Sequence, residues 1–317
     1  QAVLGVEKVG INDNFFDLGG DSIISLQVVG RLKNRNLIIR PKDIFEHQTV
    51  AELALVVRTA VTAKAEQGEV TGSAGLIPIQ RWFFSLDLAN RNHFNQSFVF
   101  RSTMGIDADK MRMVLQALLN HHDALRSRFQ DGMQVYLPVS EEIRFVVKAA
   151  ADPANLSAEI DALQSSLDIE KGPVFAAGLY RCAGVEYLTF VAHHLVIDGV
   201  SWRILFEDLL HAYRSAVAGQ EAVLPEKTTS FKEWAFKLAE YAERDAIRNE
   251  AEYWQSELAS PAPVLPRVSQ GGANDLASMA IVQRSLGTTE TNALLKEAHK
   301  AYNTEINDLL LAALMRA

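Results

Sequence analysis

Two adjacent histidines after a predicted buried strand form the most reactive pattern in the chain. Residues 193–199 read His-His-Leu-Val-Ile-Asp-Gly, follow an apolar stretch at 187–192, and precede a helical pattern that begins at Ser201. An imidazole with an ordinary pKa near ~6.5 can accept and return a proton at neutral pH. The N-terminal end of the following helix would direct a fixed positive field toward this loop. The pattern therefore predicts acid–base chemistry at His193 or His194.

Other roles for these residues remain open at this level. One histidine could be buried and structural, and Asp198 could fix the loop by pairing with a buried arginine. Gly199 would permit a turn that a side chain would hinder. The histidines and Asp198 could also bind a metal ion, but successive strand residues face opposite ways, so both rings rarely reach one ion. We therefore expect no metal ligand at this site.

A serine at a predicted helix start is the second chemical pattern. Residues 17–23 read Asp-Leu-Gly-Gly-Asp-Ser-Ile. The two glycines allow a tight turn, and Asp21 places an acidic group at the helix N-terminus. A hydroxyl at Ser22 would be exposed and accessible to another enzyme. Serine and aspartate also act commonly as simple helix caps, and spacing alone favours that role.

The elements that position Ser22 are predicted to be helices. Residues 1–62 show helical spacing throughout, with a capping box at Thr49 and Glu52 before the last helix. Residues 63–75 contain three glycines and no aromatic residue. That composition is typical of a flexible linker.

The elements around the histidines are mixed. From residue 76 onward, strand and helix patterns alternate, with strands predicted over 95–101 and 280–286. The pattern indicates an α/β domain over 76–317, with a first lobe at about 76–258 and the start of a second lobe at about 259–317.

Composition narrows the class of partner. The chain has 317 residues, 48% of them apolar, and a formal net charge of -8. This charge argues against nucleic acid as a partner, and no apolar run approaches the ~20 residues of a membrane-spanning helix. The single cysteine, Cys182, fits a reducing compartment. We therefore expect a cytoplasmic protein with no membrane partner.

Residues 15–22, Phe-Phe-Asp-Leu-Gly-Gly-Asp-Ser, resemble the attachment motif of peptidyl carrier proteins. The resemblance covers essentially all of residues 1–62. It implies an all-α four-helix carrier domain whose Ser22 is esterified to phosphopantetheine, preceded by Asp21. It also implies a phosphopantetheinyl transferase as a partner, and amino acids or peptides held on the arm as thioesters.

The histidine string resembles the signature of condensation and epimerisation domains of nonribosomal peptide synthetases. These share a two-lobed fold like chloramphenicol acetyltransferase. The resemblance implies that His194 is catalytic and faces a tunnel, while His193 and Asp198 are supporting. Residues 121–126, His-His-Asp-Ala-Leu-Arg, resemble an upstream motif of the family. Arg126 is our hypothetical partner for Asp198.

Two further strings favour epimerisation over condensation. Residues 78–84, Pro-Ile-Gln-Arg-Trp-Phe-Phe, and residues 198–205, which include Trp202, resemble the epimerisation versions. A carrier directly upstream could present its own thioester in cis. His194 would then be one acid–base group, and the helix start at Ser201 a candidate to stabilise the enolate.

The chain departs from the epimerisation family in one respect. The family's second acid–base group comes from a Glu-Gly-His-Gly-Arg-Glu string that does not occur in these 317 residues. Residues 302–310 resemble the stretch shortly before it, so we expect the second lobe to be incomplete. The rival interpretations are a condensation domain and an inactive docking platform. The expected neighbours are an adenylation domain upstream and a condensation domain downstream.

Overall fold

The computed structural model describes residues 1, 3–33, 35–59, 65–139, 141–148, 155–182, 184–221, 223–259, 271, 276–298, 304 and 306–316. It divides the chain into two compact units, one formed by residues 1–62 with 261–317 and one by residues 63–260. This division differs from the sequence-based one, which joins 259–317 to the catalytic domain. The predicted domain boundaries stay predictions.

Three helices lie in the described part of residues 1–62. They are α1 (Ser22–Lys33), α2 (Pro41–Glu46) and α3 (Val50–Val56). The capping box before α3 is confirmed, because the Thr49 side chain accepts from the Glu52 amide and the Glu52 carboxylate accepts from the Thr49 amide.

The all-α, four-helix expectation for this segment is not confirmed. Residues Leu37–Ile38 (β1) and Arg58–Thr59 (β2) pair as short antiparallel strands, and α3 ends at Val56 where the sequence predicts more helix. Val57 has an extended backbone, with φ -60° and ψ 135°, so the chain leaves the helix and satisfies its backbone groups across β1 instead.

The linker prediction for residues 63–75 is wrong in its second half. Residues Gly72–Gly75 form strand β3, which pairs antiparallel with β6 (Met133–Tyr136), and Val70 and Ala74 are buried. Val70 and Ala74 pack with Tyr136 and Ala235 in a small apolar core. The folded second unit therefore includes these residues.

The described residues of the second unit form two sheets. The order of the larger sheet is β4-β9-β8-β7, with β4 (Asn95–Ser102), β9 (Val185–His193), β8 (Phe175–Cys182) and β7 (Arg144–Lys148). Only the β7–β8 pair is parallel. The smaller sheet has the order β3-β6-β5, with β5 at Ser127–Gln130. The described helices are α4 (Pro78–Ser85), α5 (Ala108–His121), α6 (Leu156–Gln164), α7 (Gly199–Val217), α8 (Phe231–Ala242), α9 (Asp245–Arg248) and α10 (Ala251–Ala259).

Helices cover both faces of the larger sheet. The α5 and α7 helices pack on the face that carries Phe190 and Ala192, and Trp202 of α7 is almost fully buried there. Leu163 of α6 belongs to a cluster on the opposite face with Val191. Burying one large apolar side chain stabilises a fold by roughly 1.5–3 kcal/mol, so this two-sided core fixes the end of β9, where the histidines lie.

The last segment contains α11 (Thr288–Lys296) and α12 (Ile306–Arg316). The strand predicted over 280–286 is wrong, because these residues form no ladder hydrogen bonds and are exposed. A strand is stable only when another strand pairs with it. Among the described residues, no helix combines the length and apolar character needed to cross a membrane.

Candidate active site

The histidines at the end of β9 face opposite sides of the sheet. In the antiparallel register Asn95 lies opposite His193 and Gln96 opposite Ala192. His194 therefore shares a face with Gln96, one diagonal step away. The alternation predicted from the sequence is confirmed, and it separates a buried ring from an exposed one.

The His193 ring is fully buried and structural. One ring nitrogen, Nε2, lies 2.8 Å from the Arg91 carbonyl oxygen, and the other accepts from the Leu195 amide at 3.2 Å. A carbonyl can only accept, so the proton is on Nε2. Burial lowers the pKa of His193 to about 4, and the bond to Arg91 opposes this only partly. His193 is consequently neutral at pH 7.

The His194 ring is exposed, as a group that meets a substrate must be. Its Nδ1 lies 2.8 Å from the Ile197 carbonyl oxygen, which fixes the ring proton on Nδ1. In the neutral ring the lone pair is therefore on Nε2. The Phe94 ring stacks on the imidazole with centroids 5.7 Å apart and an interplanar angle of 17°. The ring is held in one orientation with a basic nitrogen facing outward.

Gln96 is the site residue that sequence reasoning missed. Its amide nitrogen lies 3.2 Å from His194 Nε2, and its amide oxygen accepts from Trp202 Nε1 at 2.9 Å. The indole N–H can only donate, so the amide orientation follows from chemistry. The available signal was a polar side chain on the strand face that also carries Phe98 and Phe100.

Asp198 caps α7, in agreement with a supporting role. Its Oδ1 accepts from both the amide and the hydroxyl of Ser201, each at 2.7 Å. Both donors of Ser201 are therefore occupied, and the expectation that the helix start at Ser201 stabilises an enolate stays a prediction. Gly199 is the first helical residue, it has no positive φ, and an added Cβ would meet nothing within 4 Å. The predicted conformational need for glycine there is wrong.

The proposed pair between Arg126 and Asp198 does not exist. Arg126 is buried, and its guanidinium lies 2.7 Å from Asp123, three residues earlier in a short 3₁₀ turn. Residues three apart eclipse each other in such a turn. Lys227 contacts the same carboxylate at 3.1 Å. Arg126 also donates to three carbonyl oxygens, those of Leu119, Asn120 and Leu137.

A second histidine pair lies at the end of α5. The side chains of His121, His122 and Asp208 offer ligand atoms within 4.8 Å of one another. His122 Nε2 lies 3.0 Å from the buried Asp208 carboxylate. This contact joins the residue that follows α5 to α7, so the cluster already has a structural role.

The residues before Ser22 form the predicted turn. Ser22 is the first residue of α1, and Asp21 Oδ1 accepts from the Ile24 amide at 2.6 Å. Gly19 has φ +90°, and an added Cβ at Gly20 would lie 2.4 Å from the Phe15 ring. The Ser22 side chain itself lies outside the described atoms. A turn closed by glycines and an acidic cap fits a serine presented for phosphopantetheine attachment.

Two family models account for most of the chain. Residues 1–57 match the phosphopantetheine attachment site family, and residues 70–317 match the condensation domain family. The first match places a covalently attached phosphopantetheine group on the first segment.

Curated relatives cover nearly the whole chain. It is 45% identical over 329 residues to one of the proteins of linear gramicidin synthase from Brevibacillus parabrevis, a match that covers 99% of this chain and 6% of that protein. It is 40% identical over 324 residues to surfactin synthase subunit 1 of Bacillus subtilis (strain 168). That match covers 99% of this chain and 9% of the synthase subunit. The chain thus spans less than a tenth of the length of these two relatives.

Solved structures give the same family. The epimerization domain from the third module of tyrocidine synthetase B matches with a TM-score of 0.71 and 39% identity, over 79% of this chain and 59% of that one. The X-domain of teicoplanin biosynthesis, in complex with OxyB, matches with a TM-score of 0.61 and 19% identity. This match covers 80% of this chain and 59% of the X-domain chain, and it supports the fold alone. The chain therefore belongs to the condensation-domain family of nonribosomal peptide synthetases, here preceded by a phosphopantetheine carrier domain.

Proposed function

We propose that the chain epimerises an aminoacyl or peptidyl thioester at its α-carbon, with the substrate held on a phosphopantetheine arm at Ser22. The observation that carries the proposal is the exposed His194 ring, whose Nε2 lone pair is fixed by the Nδ1 contact with Ile197. Both epimerisation and condensation could use such a base. The 39% identity to an epimerization domain supports the first, as do the strings at 78–84 and 198–205.

The carrier supplies the electronic activation. A phosphopantetheine thiol, when attached to Ser22, holds the acyl group as a thioester, which acidifies the neighbouring α-carbon. Asp21 and the turn at Gly19 and Gly20 would present Ser22 to a phosphopantetheinyl transferase. An adenylation domain would choose and load the amino acid, and a condensation domain would use the product.

His194 would transfer the proton. The substrate displaces the Gln96 amide from Nε2; the α C–H bond then breaks, its electron pair delocalises into the thioester carbonyl, and the proton moves to the freed lone pair of Nε2. Nδ1 keeps its own proton on the Ile197 carbonyl oxygen, so the ring becomes an imidazolium without losing that contact. Return of a proton to the same face restores the starting isomer, and delivery to the opposite face inverts it. Inversion needs a second acid–base group, which the family provides from the string absent from these 317 residues.

Deuterium exchange tests this step without depending on the second group. The full chain is loaded at Ser22 separately with an L- and a D-aminoacyl arm in deuterated water, then hydrolysed for mass analysis and chiral chromatography. We expect deuterium at the α-carbon of at least one isomer, and at least a hundredfold slower exchange in His194→Ala, because a positioned acid–base group contributes ~10²–10⁴-fold. His93→Ala, which removes another exposed histidine, is the matched control.

The rival functions give different results. A condensation domain would form a peptide bond from two loaded carriers and leave the α-proton of the single arm in place. A docking platform would show no exchange above that of the free thioester, with no difference between parent and His194→Ala. Either result contradicts the proposal.

A further inference from the structure

Two histidines and an aspartate converge where the end of α5 lies beside α7. His121 is the last residue of α5, His122 follows it, and Asp208 lies within α7. Each side chain offers one ligand atom, and the three atoms lie within 4.8 Å of one another. Among the described residues, no other three histidine, cysteine or acidic side chains meet in this way. The proposed epimerisation uses none of the three.

The Nε2 atom of His122 is buried without a hydrogen bond to any described residue. A carboxylate oxygen of Asp208 lies 3.0 Å from it. That distance suits a hydrogen bond, so it is the direction of approach that prevents one. A buried polar atom without a partner destabilises a fold, and a bound ion is one of the groups that can satisfy it.

The Asp208 carboxylate is a buried charge in need of a cation. Asp208 is 7% exposed, and within the described part of the chain it pairs with no lysine or arginine, only with His122. Buried charges in proteins are paired or coordinate metals. The nearby cation Lys227 does not serve, because its ammonium is bound by the Asp123 carboxylate and the Gly68 carbonyl.

The ligand set and the spacing suit a zinc ion. Two imidazoles and one carboxylate occur in zinc sites that keep a fourth position for solvent. Bonds of ~2.0–2.2 Å in a tetrahedron place the ligand atoms about 3.4 Å apart. The His122–Asp208 separation is already close to this value. The half-buried His121 ring can close the longer separations by a small rotation.

His121 also gives the cluster a route to solvent. Its side chain lines an open cavity of about 440 Å³, together with Asn120 and Leu224. An ion can therefore reach the imidazole of His121 from the cavity without opening the core between α5 and α7.

We propose that His121, His122 and Asp208 bind a Zn²⁺ ion, with solvent as the fourth ligand. Each imidazole gives the ion a lone pair, and Asp208 gives it a negative charge. The ion joins α5 to α7 and provides the partner that His122 Nε2 lacks. This inference does not depend on the proposed epimerisation.

Metal titration of the full chain tests the site. The chain, without an affinity tag, is freed of metal with a chelator, and Zn²⁺ is added at pH 7 in competition with a chromophoric chelator. We expect one strong site, and Co²⁺ in its place should show the visible absorption of a tetrahedral complex. His121→Ala and Asp208→Asn should each bind Zn²⁺ at least a hundredfold more weakly, since changes outside the ligand shell already cost ~10–100-fold.

His211→Ala is the matched control. His211 is exposed on α7, three positions after Asp208, and its Nε2 lies 3.1 Å from the Val223 carbonyl oxygen. Its removal should leave the strong site intact. Zn²⁺ should raise the thermal unfolding midpoint of the parent and of His211→Ala, because an ion that binds only the folded state stabilises it. The midpoint of His121→Ala should not move.

Two results would overturn the site. One is zinc binding as strong in well-folded His121→Ala as in the parent. The other is a parent without a strong site, in which case the His122–Asp208 contact is an ion pair alone. His121→Ala keeps the test decisive even if Asp208→Asn unfolds, because His121 lies at the edge of the cavity and is only half-buried.

Discussion

His193 and His194 carry their ring protons on opposite nitrogens, although they are adjacent in the chain. His193 donates from Nε2 to the Arg91 carbonyl, whereas His194 donates from Nδ1 to the Ile197 carbonyl. The alternation of strand residues sends one ring into the protein and the other outward. One histidine therefore stabilises the fold while its neighbour remains available for proton transfer.

Burial of His193 predicts a loss of stability in mild acid. Its pKa is about 4 in the folded chain and about 6.5 when unfolded. Between these values the unfolded state binds an additional proton, so the free energy of unfolding falls as the pH falls, by ~1.4 kcal/mol per pH unit. Above pH 6.5 both states are neutral, and this contribution is complete.

Urea unfolding of the full chain at pH 7 and pH 5 measures the effect. We expect about 2 kcal/mol less stability at pH 5 on this account, and a shallower dependence in His193→Asn, which does not titrate. His121, whose pKa burial also lowers, contributes with the same sign in both proteins and cancels. An equal pH dependence in both proteins would contradict a buried neutral His193.

Arg126 and Asp198 should differ in what they stabilise. Arg126→Ala removes a buried cation from Asp123 and from three carbonyl oxygens, so we expect a loss of ~3–5 kcal/mol. Asp198→Ala removes an exposed helix cap and should cost ~1 kcal/mol. Urea unfolding of both variants measures the two losses in the free energy of unfolding. A loss in Arg126→Ala no larger than in Asp198→Ala would argue against the buried cluster.

Gly20 should be required for loading of Ser22. A Cβ at Gly20 would lie 2.4 Å from the Phe15 ring and 2.6 Å from its carbonyl oxygen. Because the backbone cannot yield cheaply, Gly20→Ala should open the turn before α1. We expect transfer of phosphopantetheine to Ser22, followed by intact mass, to fall at least tenfold in Gly20→Ala.

Gly30→Ala is the control for this experiment. Gly30 lies in α1 with open space around its Cα, and alanine favours a helix by up to ~1 kcal/mol over glycine. Its loading should match the parent. Ser22→Ala should abolish loading completely, and any modification that survives in it would assign the arm to another residue.

Phe94 should affect the reaction more than the fold. Its ring stacks on His194 and contacts Phe83 at 5.2 Å, yet it is 40% exposed. An aromatic pair is worth ~0.5–1.5 kcal/mol, so Phe94→Leu should slow α-proton exchange about two- to tenfold. Phe236→Leu is the control, because Phe236 is exposed on α8, and its exchange rate should match that of the parent. Equal rates in the parent, Phe94→Leu and Phe236→Leu would contradict a role for stacking.

Local patterns in the sequence predicted the chemical groups and the short-range geometry around them. The alternation that separates the two histidines, the capping box at Thr49 and the turn before Ser22 depend on residues within a few positions of one another. The family resemblance rested on the same local strings. Such interactions follow from spacing, so the order of residues was enough to predict them.

Only the tertiary structure decided which distant groups meet. Gln96 bonds to His194 across 98 positions and to Trp202 across 106, because β4 pairs with β9 and α7 packs over both. Long-range pairing with β6 also drew residues 72–75 into a sheet. Sheet register and helix packing arise from burial of the whole core, and no short stretch of sequence contains that information.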